Sequence, residues 1–167
     1  PLYSSAASDV YKRQIRLETD FQESLKIHSD PEQLRQVLWN LFLNAAEAMT
    51  RGGVLFISTG MVHSPDGDGT SQEMARITIR DTGSGFSKKA LQHLFTPFFT
   101  TKEGGSGLGL ATVKRIVEGL KGRVTGKNHP DGGAEVNVFL DPILSQSART
   151  RPPDPLKPAR EAGFPEP

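Results

Sequence analysis

The amino-acid sequence predicts an α+β fold, a two-layer α/β sandwich in which one mixed β-sheet carries helices on one face. Two segments space their apolar residues at the helical period of about 3.6, and several others alternate apolar and polar residues as half-buried strands do. The strands and helices are grouped along the chain and do not strictly alternate, which is typical of this class. With 167 residues and 35% hydrophobic content, the chain can form one domain with one core.

The domain is predicted to open with a strand and a long helix. Strict alternation over residues 15–21 places three apolar side chains on one half-buried face, those of Ile15, Leu17 and Phe21. Asp30 is a typical N-cap residue, Pro31 suits the first helical position, and Gln33 completes a capping box. Apolar residues then keep helical spacing for about five turns, until the glycine pair at 52–53 ends the helix.

The remaining elements complete the sheet and its helical layer. Strands are predicted at residues 54–62, 75–80, 123–127 and 134–140, the last two joined by a turn rich in proline and glycine. The polar segment 63–73 is predicted to be a surface loop. Helices are predicted at residues 88–94 and in an amphipathic segment that carries Leu110, Val113, Val117 and Leu120.

The two ends of the chain are predicted to lie outside this fold. Residues 1–14 are interpreted as a non-native or linker segment. Residues 144–167 hold half of the 12 prolines and few large apolar residues, so they are predicted to be a disordered tail. The domain is therefore assigned to residues 15–143.

Composition excludes several classes of function. The chain has 20 Lys and Arg against 19 Asp and Glu, so it offers no electrostatic footprint for nucleic acid or for contact with a membrane. The absence of cysteine excludes a disulfide framework, a thiolate zinc site and a cysteine nucleophile. Neither a signal peptide nor a membrane-spanning run is visible, so we expect a cytoplasmic location.

Asn40 and Asn44 lie one turn apart on the long helix, at the edge of its apolar stripe. Stacked amides at such an edge can present carbonyl oxygens to a hard cation or N–H donors to phosphate. On local grounds alone, a pair of solvated or packing asparagines is the alternative.

Asp81 follows a strand whose alternation turns it toward the core, together with Ile77 and Ile79. A carboxylate there requires hydrogen-bond donors. Gly83 and Gly85 remove side chains beside it, so a flat ligand could approach the backbone. The alternatives are an aspartate that starts a turn, and the Asp-Thr-Gly-Ser signature of aspartic proteases. Because the signature occurs once, such a protease would have to be a homodimer.

Two adjoining segments complete the candidate site. Residues 94–102 place three phenylalanines around Pro97, which predicts a movable loop anchored by Phe95 and Phe98. Residues 104–110 are rich in glycine and open the last helix, whose N-terminal N–H groups favour anions such as phosphate. The spacing matches neither the dinucleotide fingerprint nor a P-loop.

Taken in this order, the motifs resemble the ATP-binding catalytic domain of sensor histidine kinases, in the superfamily shared with gyrase, MutL and heat-shock-chaperone ATPases. The asparagine helix matches the N box, residues 81–85 the G1 box, 94–102 the F box and 105–110 the G2 box. The resemblance covers about residues 15–142 and is strongest to the nitrogen-regulation branch. It implies the histidine kinase-type ATPase fold, with ATP and Mg²⁺ as cofactors.

The resemblance also assigns roles to residues. Asn44 would ligate Mg²⁺, Asp81 would accept from the adenine amino group, and Lys102 would be a mobile positive charge in a lid over about residues 96–106. Backbone N–H groups at Gly105, Gly107 and Gly109 would hold the phosphates. The full set of residues expected to contact ATP is Asn40, Asn44, Ala48, Asp81, Gly83, Gly85, Phe86, Thr101, Lys102, Gly105, Ser106, Gly107, Leu108, Gly109 and Leu110.

Asn40 decides the expected reaction. Hydrolases of the superfamily carry glutamate at this place to activate water, and an amide lacks the basic lone pair for that task. We therefore expect phosphoryl transfer to a histidine of an upstream dimerisation domain, followed by a response regulator, because none of the four histidines here lies in a matching motif. Glu47 stands where many members of the family have lysine. A Ser/Thr kinase of anti-sigma type, a non-catalytic nucleotide-binding module and the homodimeric protease are the alternatives.

Overall fold

The structure is a computed structural model that describes residues 14–65, 71–102 and 104–143. Within these ranges the chain forms five strands and three helices. They are β1 (Ile15–Phe21), α1 (Pro31–Ala48), β2 (Gly53–Pro65), β3 (Ser71–Asp81), α2 (Lys88–Gln92), α3 (Gly109–Gly119), β4 (Arg123–Asn128) and β5 (Ala134–Leu140). Apart from Gln14, the predictions for residues 1–14 and 144–167 fall outside the described residues.

The five strands form one mixed sheet in the order β1-β2-β3-β5-β4. β1 is parallel to β2, whereas β2 with β3, β3 with β5 and β4 with β5 are antiparallel. α1 and α3 pack against each other and against the same face of the sheet. The predicted α+β sandwich with a mixed sheet and helices on one face is confirmed.

The core lies between this face and the two long helices. Burial of each large aliphatic side chain stabilises the fold by roughly 1.5–3 kcal/mol. The core residues that α1, α3 and the strands supply include Val37, Leu41, Ala45, Val113, Val117, Ile77, Ile79, Val136, Val138 and Leu140. Because β3 alternates, Asp81 is buried on the same face as Ile77 and Ile79, as its strand pattern predicts.

The long helix α1 begins and ends close to the predicted positions. Asp30 is its N-cap and Pro31 its first residue, and its 18 residues make the expected five turns. The cap differs in detail, because the Asp30 carboxylate accepts from the backbone N–H of Glu32, at 2.9 Å, and not from that of Gln33. None of the described helices has the length and apolarity to cross a membrane.

Two predictions about strands are corrected. The predicted loop 63–73 is strand at both ends, because the pairing of β2 with β3 continues to Pro65 opposite Ser71. Backbone hydrogen bonds across the hairpin therefore outweigh its polar composition. The predicted half-buried face of β1 is wrong for Leu17 and Phe21, which are 58% and 56% exposed. β1 is an edge strand, and of the three predicted residues Ile15 packs against the core.

Candidate functional site

A cavity of about 570 Å³ opens between α1, the end of β3 and the segment that leads into α3. Fourteen of the fifteen residues expected to contact ATP line it, and Gly83 is the exception. Those lining residues are Asn40, Asn44, Ala48, Asp81, Gly85, Phe86, Thr101, Lys102, Gly105, Ser106, Gly107, Leu108, Gly109 and Leu110. The fold thus brings together residues from four separate motifs. Their role as nucleotide ligands stays a prediction.

The carboxylate of Asp81 lies at the closed end of the cavity, where the residue is only 5% exposed. Its Oδ1 accepts from the backbone N–H of Gly83 at 2.8 Å and from that of Ala134 at 3.3 Å. The chain itself therefore supplies donors to this buried charge. No hydrogen bond from the described residues reaches Oδ2, so this oxygen is available to a ligand.

Burial raises the pKa of Asp81 above its ordinary value of 3.8. The hydrogen bonds from Gly83 and Ala134 and the positive charge of Lys102 oppose this rise in pKa without cancelling it. The carboxylate is thus less stable in the folded chain than in water. A buried acceptor of this kind gains from a ligand that donates a hydrogen bond to it.

Gly83 lies behind the cavity and determines how closely β3 approaches α1. A Cβ atom at this position would lie 2.6 Å from the carbonyl oxygen of Ala48, and the next residue, Ser84, donates its backbone N–H to that same oxygen at 3.3 Å. On the other side, the hydroxyl of Thr82 accepts from the N–H of Val54 at 2.9 Å. The loop after β3 is therefore held to α1 by a backbone hydrogen bond and to β2 by the Thr82 hydroxyl.

Asn40 and Asn44 face the start of α3, as their one-turn spacing predicts. A Cβ atom at Gly109 would lie 3.5 Å from Asn40 Oδ1 and 3.5 Å from Asn44 Nδ2. Asn40 Nδ2 donates to the carbonyl oxygen of Gln36 at 2.9 Å. That bond orients the Asn40 amide and leaves its Oδ1 directed at the N-terminus of α3.

Lys102 reaches across the cavity to α1. Its Nζ donates to Asn44 Oδ1 at 3.1 Å and lies 2.5 Å from Glu47 Oε2. The side-chain oxygen of Asn44 and the carboxylate of Glu47 thus already bind a cation, the ammonium group of Lys102. Hard oxygen donors of this kind fit Mg²⁺, which takes one or two protein oxygens and completes its shell with phosphate and water.

The glycine-rich segment differs in part from the expected phosphate site. The N–H of Gly105 donates to the carbonyl oxygen of Lys102 at 3.2 Å, so in this conformation it is not directed at a ligand. The N–H of Leu108 donates to the Ser106 hydroxyl at 3.3 Å. The first turn of α3 has no side-chain cap, so its N–H groups are the anion donors that the helix offers here.

The predicted anchoring role of Phe98 is wrong. Its side chain is 77% exposed, because its backbone adopts a φ of 63° and turns the ring outward. The backbone makes the contact instead, since the N–H of Phe98 donates to the carbonyl oxygen of Gly107 at 3.0 Å. Phe99 lines the cavity in its place and packs against the ring of His93, 5.0 Å between centroids.

Asn128 supports the cavity from β4 and was missed by the sequence analysis. Its Oδ1 accepts from the backbone N–H of Phe86 at 2.7 Å, and its Nδ2 donates to the carbonyl oxygen of the same residue at 2.8 Å. These two hydrogen bonds hold the segment after Gly85 at the edge of the cavity. The partners are 42 residues apart, so no local pattern indicates the contact.

The comparison with known families decides the assignment. Residues 29–143 match the family described as histidine kinase-, DNA gyrase B- and HSP90-like ATPase. The chain belongs to this family. The fold that the resemblance implies is therefore confirmed, and the aspartic protease interpretation of residues 81–84 is left without support.

Sensor histidine kinases are among the relatives of the chain. The sensor histidine kinase ZraS of Klebsiella oxytoca is 38% identical over 141 residues, which are 84% of this chain and 29% of ZraS. The catalytic domain of histidine kinase ThkA is 27% identical, with a TM-score of 0.63 over 84% of this chain and 85% of that one. Full-length ShkA, solved in complex with AMPPNP, shares the fold with a TM-score of 0.67 at 24% identity, over 85% of this chain and 28% of that one. The chain is thus similar to the catalytic domains of such kinases, and it spans under a third of the length of ZraS.

Proposed function

We propose that residues 15–143 bind Mg-ATP and donate its γ-phosphoryl group to a histidine on a separate helical dimerisation domain. The proposal rests on the family, on the single cavity that collects the four motifs, and above all on Asn40 at the position that decides between water and another acceptor. A response regulator would then receive the phosphoryl group, and the domain would act in the cytoplasm. The contacts of three side chains, those of Asp81, Asn44 and Asn40, support the binding and transfer steps.

Asp81 is proposed to select adenine. Its Oδ2 has no hydrogen bond from the described residues, and an exocyclic amino group would supply the missing donor. Guanine carries a carbonyl oxygen at the corresponding position, which would face the carboxylate oxygen without a proton between them. Leaving buried polar groups unpaired in this way costs roughly 1–3 kcal/mol.

Asn44 is proposed to hold the metal through Oδ1, the atom that binds the Lys102 ammonium in the structure. When bound, Mg²⁺ neutralises the charge on the phosphate oxygens during transfer. The chain contributes alignment, with the uncapped first turn of α3 facing the phosphates beside Gly109. These residues position a phosphoryl group and supply no base.

Asn40 carries the choice of acceptor. Its Nδ2 donates to the Gln36 carbonyl oxygen, and the Oδ1 that remains is an amide oxygen, too weakly basic to take a proton from water at neutral pH. Slow attack by water preserves ATP for another nucleophile. The four histidines of the chain do not line the cavity, which supports an acceptor on another domain.

The test is phosphoryl transfer in trans. The chain is mixed with labelled ATP, Mg²⁺ and the helical dimerisation domain of a ZraS-type kinase, and the label on that domain is then characterised. We expect an adduct that is labile to acid and stable to base, and no label on the catalytic chain alone. Asn44→Ala should abolish transfer. An acid-stable adduct would contradict histidine as acceptor and favour a Ser/Thr kinase.

Asn40→Glu tests the assignment of Asn40 separately. A carboxylate here would restore a general base, an effect that typically contributes about 10²–10⁴-fold, so ATP hydrolysis should rise relative to transfer. Asn40→Gln, which keeps the amide, is the matched control. Rapid hydrolysis of ATP by the unchanged chain would refute the kinase proposal and indicate an ATPase.

A further inference from the structure

The cation position on α1 is held by a lysine of the chain itself. Asn44 and Glu47 lie three residues apart on the helix, so that Oδ1 and Oε2 converge on the ammonium of Lys102, at 3.1 Å and 2.5 Å. The turn before this lysine is fixed by the Thr100 hydroxyl, which accepts from the N–H of Lys102 at 3.1 Å. In the structure, the lid is thus tied to the proposed metal ligand.

This contact differs from an ordinary surface ion pair. Such pairs join two charged groups, and at an exposure of 43% and 44% for Lys102 and Glu47 they contribute little. Here a neutral amide oxygen is the third partner, and all three residues line the candidate nucleotide cavity. The positive charge of Lys102 also acts on Asp81, where it opposes the rise in the pKa of the carboxyl group.

A lysine ammonium and a magnesium ion cannot share this position. Both would take Asn44 Oδ1, and two cations at adjoining sites repel each other. Mg-nucleotide therefore has to displace Lys102, whose ammonium can follow the lid to the phosphates. Glu47 lies on α1, three residues after Asn44, so its carboxylate would lie beside a metal ion that Asn44 Oδ1 held. The negative charge of Glu47 would favour nucleotide binding with the metal present, and it would repel the phosphates with the metal absent.

We propose that Glu47 makes nucleotide binding depend on Mg²⁺: it holds Lys102 on Asn44 Oδ1 in the free domain and leaves its carboxylate beside the metal in the bound one. This inference rests on the proposed function of the cavity. Glu47 acts through Lys102 and through the metal, so it is a positioning residue. This role accounts for a glutamate at a position where many sensor histidine kinases carry lysine.

The first test measures the affinity of the chain for AMPPNP by calorimetry, with Mg²⁺ and with a chelator in its place. The quantity of interest is the dissociation constant without Mg²⁺ divided by the dissociation constant with Mg²⁺. In Glu47→Gln, binding without metal should tighten more than binding with metal, so the ratio should fall by roughly two- to five-fold. Glu118→Gln, which removes a carboxylate paired with Lys114 on the exposed side of α3, is the matched control.

The second test follows hydrogen exchange in the free chain. Glu47→Gln should speed exchange in the lid around residues 100–107, whereas Glu118→Gln should not. In a Lys102→Gln background, Glu47→Gln should have no further effect on lid exchange, because the contact is already lost. This comparison separates a role through Lys102 from a general loosening of α1.

The outcomes separate the two claims. If the unchanged chain binds Mg-AMPPNP and the Glu47→Gln ratio equals that of Glu118→Gln, this inference is wrong and the proposed function stands. Lid exchange that is the same in Glu47→Gln and in the unchanged chain would overturn the contact with Lys102. Failure of the unchanged chain to bind Mg-AMPPNP would overturn the proposed function, and this inference with it.

Discussion

The two ends of the cavity are built in different ways. At the closed end, Asp81 is 5% exposed and bound by two backbone N–H groups, and the loop behind it touches the backbone of α1. At the open end, Lys102 and Glu47 are nearly half exposed and meet through flexible side chains. A Cβ atom added at Gly104 would meet no heavy atom within 4 Å, whereas one at Gly83 would overlap a carbonyl group.

This difference suits the two ends of the cavity to different parts of the proposed ligand. The adenine ring must be recognised by hydrogen-bond donors and acceptors that are already in place, because ordering these groups on binding would reduce affinity. Phosphates and a metal must enter, react and leave, so the groups around them have to rearrange. The closed end is therefore expected to control selectivity and stability, and the open end to control access and metal dependence.

The largest effect that we predict contrasts a glycine at each end. Gly83→Ala places a methyl group 2.6 Å from the Ala48 carbonyl oxygen, so the fold should lose about 3 kcal/mol of unfolding free energy. Gly104→Ala meets open space and bears only the left-handed strain of its φ of 71°, about 1 kcal/mol. Urea unfolding of both variants measures the contrast. Equal losses would show that the two ends are equally rigid.

The second prediction concerns selectivity at the closed end. Asp81→Asn keeps an oxygen for the Gly83 and Ala134 N–H groups but replaces the available oxygen with an amide nitrogen. Affinity for Mg-AMPPNP should weaken by roughly 1–3 kcal/mol, and the preference for adenine over guanine should fall with it. Calorimetry with both nucleotides measures this, with Gly104→Ala as the control. Unchanged affinity and preference would contradict the adenine assignment.

The same substitution should stabilise the free domain at neutral pH. Because the pKa of Asp81 is raised on folding, the folded state holds its proton more tightly than the unfolded state does. Stability is therefore lost as pH rises from 3.8 through the folded pKa, and the loss is complete above it. Asparagine does not titrate. Unfolding free energies at pH 7 and at about pH 4 should show an advantage for Asp81→Asn at the higher pH that shrinks at the lower one. An advantage that grows on acidification would mean that the sign is wrong.

These predictions draw on features that sequence analysis could and could not supply. Asp81 was placed correctly because strand alternation fixes its face, and Asn40 and Asn44 because the helical period fixes theirs. Both are local periodicities that tertiary structure left unchanged. The order of the motifs then identified the family, which no single motif would have done.

The failures share a different cause. The exposed face of β1 depends on which strand lies at the edge of the sheet, and strand order is not written in the alternation of β1 itself. The outward turn of Phe98 depends on one φ angle and on a bond to Gly107. The contact of Lys102 with Glu47 joins residues 55 apart. Each requires the packed structure, because a local pattern carries no information about distant partners.

The smallest expected effect sharpens the comparison in dynamics. In the described part of the lid, the contacts are chiefly the packing of the Phe99 ring on His93, the Phe98–Gly107 backbone bond and the Lys102 contacts with α1, so its amides should exchange quickly in the free domain. Mg-AMPPNP should slow exchange across residues 96–106 several-fold and leave β3 and β5 unchanged. Hydrogen exchange with mass spectrometry measures both regions in one experiment, and Asn44→Ala, which should bind the metal poorly, serves as the control. If β3 gained as much protection as the lid, ligand binding would be tightening the whole domain, and the division between a rigid end and a mobile end would fail.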